Sequence, residues 1–101
     1  MNKLVHEQSR LKLLTMLASG AGPIPFTQLR DDLAMTAGNL SIQLKTLEEA
    51  SYVRTEKYFA DNKPRTDVSI TKEGEKALMD YLDELENLVS GLRTIKGANR
   101  K

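Results

Sequence analysis

The side chains of this chain that are best suited to chemistry are hydrogen-bonding and cationic groups of the kind that contact nucleic acid. A segment with helical periodicity, residues 37–50, carries Lys45 among small and polar residues on the side away from its leucines. A lysine can neutralise a phosphate, an amide or hydroxyl can hydrogen-bond to a base edge, and an isoleucine can contact the methyl group of thymine. The DNA-contacting residues predicted in this region are Thr36, Gly38, Asn39, Ser41, Ile42, Lys45 and Thr46.

A second cluster of cations surrounds a predicted turn with the sequence DNKPR, residues 61–65. At such a tip, Lys63 and Arg65 can reach along the DNA backbone or into the minor groove, where negative potential favours arginine. Arg54 and Lys57, on the preceding strand, would add phosphate contacts. Each cluster alone has a simpler explanation, because polar residues cover any solvated helix and charges at a turn discourage edge pairing of strands. The occurrence of both clusters in one short region favours the nucleic-acid interpretation.

Three helices are predicted ahead of this turn from the spacing of apolar residues and from capping and breaking residues. They cover residues 3–19, 26–33 and 37–50, with Ile24 as a strand of one or two residues. The third helix is capped by Thr36, because its hydroxyl can accept a free backbone N–H. The residues expected to be buried are Leu11, Leu14, Leu17 and Ala18 in the first helix and Leu40, Leu44 and Leu47 in the third.

A hairpin and a last helix complete the predicted fold. Residues 52–59 and 65–70 have strand composition, and Thr71 caps the final helix. Helix, turn, helix and hairpin is the order of a winged helix-turn-helix, which places its recognition helix in the major groove of DNA. The fold class is therefore α+β, with a three-helix core, a β-hairpin wing and a long C-terminal dimerisation helix. The expected division is residues 1–71 as the DNA-binding domain, 72–96 as the dimerisation helix and 97–101 as a disordered tail.

The final helix carries an apolar stripe that needs a cover. Its apolar residues recur at alternating spacings of three and four, which is the a/d pattern of a coiled coil. Pairing of two copies would bury the same stripe on both subunits. The predicted homodimer interface consists of Leu78, Tyr81, Leu82, Leu85, Leu88, Val89, Leu92 and Ile95.

Catalytic and metal-binding patterns are missing from the sequence. Cysteine is absent and His6 is the single histidine, so neither a thiolate site nor a multi-histidine site can form. The chain has no glycine-rich phosphate loop and no candidate triad. The acidic residues near Asp83 fit a solvated helix face. We expect no enzyme activity, no cofactor and no metal.

Composition describes one ordinary folded unit. The 101 residues are 40% apolar and 29% charged, with no apolar run long enough to cross a membrane and no signal-peptide core. These features, with the lack of cysteine, predict a cytoplasmic location. The net charge is only +1, with nine cations and eight acids in residues 1–71 and six of each in residues 72–101. Total charge therefore gives no support to DNA binding, and only the placement of the cations can.

Two stretches resemble motifs of a known family. Residues 40–53, LSIQLKTLEEASYV, are similar to the "xLSxHLxxLExAGYV" stretch of bacterial and archaeal winged-helix regulators. Residues 63–66, KPRT, followed by ITKEG, resemble their "RPRTxxxLTxxG" wing and final-helix start. Over about residues 3–90 the chain is similar to small single-domain winged-helix transcriptional regulators related to the MarR and ArsR families. The resemblance implies a dimer formed by the terminal helices, with DNA contacts through Ser41, Lys45 and Arg65.

Four residues depart from the family pattern. Ala34 and Ser51 stand where the family usually has glycine, so each is expected to adopt a left-handed backbone conformation or to reshape its turn. Ala37 replaces a common acid and Gln43 a common histidine, which affects groove contacts more than the fold. ArsR-type metal sensing is not expected, because the cysteine ligands have no counterpart.

The sequence thus predicts a regulator of transcription that binds double-stranded DNA sequence-specifically, as a homodimer on a palindromic operator. The competing hypothesis is a winged-helix module that binds protein and never DNA, and the low net charge is its best support. A further hypothesis is a ligand-responsive regulator with a pocket between the paired helices, for an effector of unknown identity.

Overall fold

The computed structural model describes the backbone of residues 1–99 and the side chains of residues 1–95. In that part of the chain, five helices and three strands follow the order α1 (Lys3–His6), α2 (Gln8–Ser19), β1 (Ile24–Pro25), α3 (Phe26–Asp32), α4 (Ala37–Glu49), β2 (Val53–Ala60), β3 (Lys63–Ile70) and α5 (Lys72–Asn99). This order confirms the predicted winged helix-turn-helix, with α4 as its recognition helix and the hairpin β2–β3 as its wing.

The predicted first helix is in fact two helices that meet at Glu7. Asn2 Oδ1 accepts a hydrogen bond from the backbone N–H of Leu4 at 2.9 Å, and Glu7 Oε2 accepts one from Arg10 at 3.0 Å. Glu7 has ψ 130°, so its backbone is extended and interrupts the helix. The prediction of one continuous helix was wrong, because the spacing of apolar residues does not show side-chain caps that compete with helical hydrogen bonds.

The core is formed by one side of each helix and by the inner face of the sheet. Leu14 and Leu17 are buried as predicted, and Leu13 is buried as well. Leu11 is only half-buried and Ala18 is exposed, so the buried side of α2 is rotated from the predicted one. The three leucines predicted for α4 are all buried, which turns the opposite side of that helix outward.

The three strands form an antiparallel sheet in the order β1-β3-β2. The hairpin turn consists of Asp61 and Asn62 alone, at φ 52° and 61°, as a tight two-residue turn requires. Lys63 and Pro64 were predicted to lie in the turn, but they belong to β3. The proline, which has no N–H, is tolerated because β1 pairs with β3 only at residues 67–68 and leaves this part of β3 as an edge.

The start of α5 is fixed against the base of the wing. Thr71 caps the helix as predicted, because its Oγ1 accepts a hydrogen bond from the N–H of Gly74 at 3.0 Å. The N–H of Thr71 itself donates to the carbonyl of Tyr52 at 3.0 Å. Gly74 lies so close to this carbonyl that a Cβ at position 74 would stand 2.1 Å from the Tyr52 oxygen. The approach of α5 to the wing therefore depends on the missing side chain.

The apolar stripe of α5 divides into a buried and an exposed half. Leu78 and Tyr81 are 3% and 4% exposed and belong to the core of their own subunit, and Leu82 is half-buried against it. Their assignment to a dimer interface is corrected, because the first turns of α5 pack on α1 and α2. Tyr81 Oη lies 2.8 Å from Nδ1 of His6, so the single histidine serves the packing of α1 on α5.

Helix α5 continues to Asn99 and so runs past its predicted end at residue 96. The predicted tail, residues 97–101, is helical as far as Asn99, and its last two residues lie outside the described part. Among the described residues, none of the helices is long and apolar enough to cross a membrane.

Candidate nucleic-acid interface

The turns at both ends of the recognition helix α4 set its direction. Ala34 has φ 53° in the turn before the helix, and Thr36 Oγ1 accepts a hydrogen bond from the N–H of Asn39 at 3.1 Å. Ser51 has φ 64° just after the helix. Both positive values confirm the left-handed conformation predicted where the family usually has glycine. Each costs about 1–2 kcal/mol for a residue with a Cβ, so tertiary packing holds these turns against local preference.

The outward side of α4 offers polar groups to a partner. Gly38, Asn39, Ser41 and Lys45 are exposed, and Ile42 is 65% exposed. A Cβ at Gly38 would meet nothing within 4 Å, so packing within the chain does not demand glycine there. The side combines an amide, a hydroxyl, an aliphatic group and an ammonium group, which suit base edges and phosphates.

Two polar residues of α4 turn partly toward the protein. Thr46 is half-buried, and its hydroxyl donates to the carbonyl of Ile42 at 3.1 Å. Gln43 Oε1 accepts a hydrogen bond from Arg10 Nη1 at 2.9 Å, and its Nε2 lies 3.5 Å from Asn39 Oδ1. Arg10 was missed by the sequence analysis, because a lone arginine in a helix gives no signal of a partner 33 residues away.

The predicted wing cations lie on two different faces of the hairpin. Side chains alternate between faces along a strand, and directly paired residues share a face. Lys57 pairs with Thr66 on the inner face, which is turned toward α4. The outer face carries the other three exposed cations, Arg54, Lys63 and Arg65.

A groove runs between α4 and the inner face of the wing. Ser41 and Lys45 line it from the helix, and Lys57 lines it from β2. Glu48 Oε2 accepts hydrogen bonds from Thr55 at 3.3 Å (backbone N–H) and 2.7 Å (hydroxyl), which tie the last turn of α4 to the start of the wing. The helix and the wing are thereby held at a fixed angle, with two lysines on one concave surface.

The wing also exposes two aromatic rings that the sequence analysis did not single out. Phe59 is 78% exposed on the inner face beside Pro64, and Tyr58 is 39% exposed on the outer face. The Tyr58 hydroxyl donates to Asp67 Oδ2 at 3.1 Å, and this hydrogen bond raises the pKa of Tyr58. An aromatic residue in a strand is ordinary strand composition, so nothing in the sequence distinguishes either ring as a contact residue.

The far half of α5 keeps an exposed apolar surface, which we call the distal stripe. The distal stripe consists of Leu85, Leu88, Val89, Leu92 and Ile95. The exposed fraction of these side chains lies between 37% and 60%. Contiguous exposed apolar side chains mark a surface that contacts another molecule. These five of the eight predicted interface residues are thus available for pairing.

Comparison with known proteins identifies the family. The family model described as winged helix DNA-binding domain matches residues 9–89. An uncharacterized protein of Methanocaldococcus jannaschii is 34% identical over 86 residues, which cover 85% of this chain and 92% of the relative. A transcriptional regulator homologue from Pyrococcus horikoshii superposes with a TM-score of 0.82 at 32% identity, over 88% of this chain and 87% of that one.

A protein from Enterococcus faecalis, assigned to the MarR family of transcriptional regulators, is similar with a TM-score of 0.71 and 25% identity, over 94% of this chain and 84% of its own. The family match spans most of the chain. The chain therefore belongs to the winged-helix DNA-binding domain family and is a small, MarR-like, DNA-binding transcriptional regulator.

Proposed function

We propose that this regulator binds double-stranded DNA sequence-specifically, as a homodimer on a palindromic operator. The observation that carries the proposal is the concave surface between α4 and the wing. It joins the exposed polar side of the helix to Lys45 and Lys57, with the helix–wing angle fixed by Glu48. A recognition helix needs such a free polar side to enter the major groove.

The proposed contacts follow from the placement of each group. The first two turns of α4, with Gly38, Asn39 and Ser41, meet the base edges, since residues at the start of a recognition helix reach deepest into the major groove. Lys45, on α4, and Lys57, on β2, line the protein groove between helix and wing from its two sides. Each of them neutralises a phosphate of the DNA backbone that enters this groove. Arg65 and the other outer-face cations contact the backbone or the minor groove beside the wing. Thr36 and Thr46 have a lesser part, because their hydroxyls are occupied within α4.

Dimerisation is proposed through the distal stripe. A two-fold pairing of α5 with α5 covers the same five apolar residues on both subunits. Two recognition helices would then meet two half-sites about one turn of DNA apart, roughly 34 Å, which requires a palindrome. In terms of chain regions, residues 1–71 bind DNA and the helix from residue 72 pairs the subunits.

Control of transcription would come from occluding or recruiting polymerase at the operator. The cytoplasmic location and a small-molecule effector stay predictions of the sequence. Neither is needed for DNA binding by the surface described here.

A salt titration tests the DNA-binding surface. Affinity of the full chain for a labelled duplex is measured by fluorescence anisotropy as salt is raised. We expect log affinity to fall linearly with log salt, and Lys45→Ala and Lys57→Ala each to reduce the slope by about one. Lys76→Ala is the matched control, because Lys76 is an exposed cation on α5 that pairs with Asp80 at 2.8 Å.

Selection of bound sequences from random duplexes, with the mass of the complex measured alongside, tests symmetry and stoichiometry. A palindromic consensus bound by two subunits is the expected result. Undetectable binding at low salt would overturn the function and favour a protein-binding module. An unchanged slope in both Lys45→Ala and Lys57→Ala, with binding intact, would overturn the assignment of the surface.

A further inference from the structure

We propose that Arg10, acting through Gln43, fixes the orientation of the Asn39 amide so that its NH₂ group faces the DNA. Asn39 then favours a base that offers only acceptors in the major groove, which means guanine or thymine, over adenine, whose N7 acceptor lies beside the N6 donor. Arg10 and Gln43 are positioning residues, and Asn39 is the residue that determines specificity. The inference rests on the proposed function and deepens it.

Arg10 is the fixed end of this arrangement. Its Nε donates to the carbonyl of Leu4 at 2.7 Å, its Nη1 donates to Gln43 Oε1 at 2.9 Å, and Glu7 Oε2 lies 4.0 Å away. The guanidinium side chain is only 18% exposed. An anchored planar group of this kind presents its N–H bonds in a set direction.

The polarity of Gln43 follows from the chemistry of arginine. An amide can turn by 180° and exchange its oxygen and nitrogen, but a guanidinium group has only donors. Gln43 must therefore offer its oxygen to Arg10, which leaves its Nε2 on the other side. That nitrogen lies 3.5 Å from Asn39 Oδ1, one helical turn toward the start of α4.

The same reasoning passes to Asn39. Its oxygen faces the Gln43 amide nitrogen at 3.5 Å, so its NH₂ group is turned away from Gln43 on an exposed side chain in the first turn of α4. A donor pairs with N7 and O6 of guanine, with O4 of thymine, or with N7 of adenine alone, where the neighbouring N6 group is itself a donor and offers no second acceptor. The two-bond pairing of asparagine with adenine needs the oxygen as an acceptor as well. That pairing is disfavoured while Arg10 holds Gln43.

Base preferences of full-length variants, measured by selection from random duplexes, test this arrangement. Asn39→Ala identifies the base position concerned, because preference is lost there alone. At that position the unaltered chain is expected to prefer guanine or thymine about fivefold or more. Arg10→Met removes the anchor, and the preference falls by about two- to tenfold. Arg10→Lys, which retains only donors, restores part of it.

Gln43→Glu makes the sharpest test. The new carboxylate still accepts from Arg10, but it has no donor for Asn39. Asn39 must then offer its NH₂ group inward and its oxygen outward, and the preference shifts toward adenine or cytosine. Lys12→Met is the matched control, since Lys12 is an exposed cation on the same helix α2 as Arg10.

A purely structural role for Arg10 predicts a lower melting temperature with unchanged base preference. That result for Arg10→Met and Gln43→Glu would overturn the inference and leave DNA binding intact. The inference would also be overturned if Asn39→Ala kept the base preference of the unaltered chain at every position. Absence of duplex binding by the unaltered chain would instead overturn the proposed function, and this inference with it.

Discussion

The glycine at position 74 should be indispensable for stability, although it stands in the first turn of a helix, where glycine is usually replaceable. A helix with glycine in its interior is usually less stable than the same helix with alanine there, by about 0.8–1.0 kcal/mol, so Gly→Ala normally stabilises the protein. At position 74 the added Cβ would lie 2.1 Å from the carbonyl oxygen of Tyr52 and 2.9 Å from Cγ1 of Ile70. The oxygen belongs to the backbone at the base of the wing and cannot rotate away.

The size of the effect follows from the distance that must be recovered. A tolerable contact of at least 3.0 Å requires α5 and the wing to separate by about 3.0 − 2.1 = 0.9 Å. This shift would strain the hydrogen bond from Thr71 N to Tyr52 O, now 3.0 Å long. Overpacking typically costs about 1–3 kcal/mol and sometimes more, which exceeds the gain in helix propensity. We expect Gly74→Ala to destabilise by about 1–3 kcal/mol and to lower the melting temperature by roughly 4–20 °C.

Gly91→Ala is the matched control, because it lies in the same helix and a Cβ there would meet nothing within 4 Å. It should stabilise by up to about 1 kcal/mol. Both variants are compared by thermal and urea unfolding at one protein concentration, since the proposed subunit pairing would make stability concentration-dependent. Equal effects of the two substitutions, or a stabilised Gly74→Ala, would refute the reasoning from the close approach.

Three further predictions concern the wing and the distal stripe. Leu88→Asp should shift the mass in solution from dimer to monomer because it places a charge in the apolar stripe; Asn87→Asp adds the same charge on the same helix and should leave the mass unchanged if pairing uses that stripe. The hydrogen bond to Asp67 raises the pKa of Tyr58, so the stability that it contributes is present below the ordinary tyrosine pKa and is lost as pH rises through the raised value. In Asp67→Asn the absorbance titration of that phenol should move to lower pH, and an unmoved midpoint would contradict the cause assigned. Phe59→Ser should change stability by less than about 0.5 kcal/mol, since the ring is 78% exposed, yet weaken duplex binding without altering its salt slope; a reduced slope would mean that the ring does not act as an uncharged contact.

The recognition helix was predictable because local signals agree with tertiary packing there. Thr36 caps it, its leucines repeat at helical spacing, and both observations were readable from the sequence. The hairpin and the cap at Thr71 were predictable for the same reason. At these places a residue and its immediate neighbours contain the whole physical cause.

The features that escaped the sequence depend on local hydrogen bonds and turn lengths that apolar spacing does not show, or on partners distant in the chain. The first helix breaks at Glu7 through a side-chain cap, and Tyr81 is buried because α1 folds back onto α5. The division of the wing cations between two faces depends on the register set by a turn of only Asp61 and Asn62. A turn longer by one residue would have exchanged the faces. The contact of Arg10 with Gln43 joins separate helices, and no local pattern announces it.

The rooting of α5 in the core has a consequence for how operators and regulators diverge. Leu78 and Tyr81 fasten the base of α5 to the body that carries α4, while the rest of the helix extends by roughly 27 Å from Tyr81 to Asn99. In the proposed dimer, the angle at which the two α5 helices cross sets the distance between the two recognition helices. Base preference within a half-site and the spacing between half-sites are then determined by different parts of the chain. Substitutions in α5 can therefore change the spacing without changing the base preference.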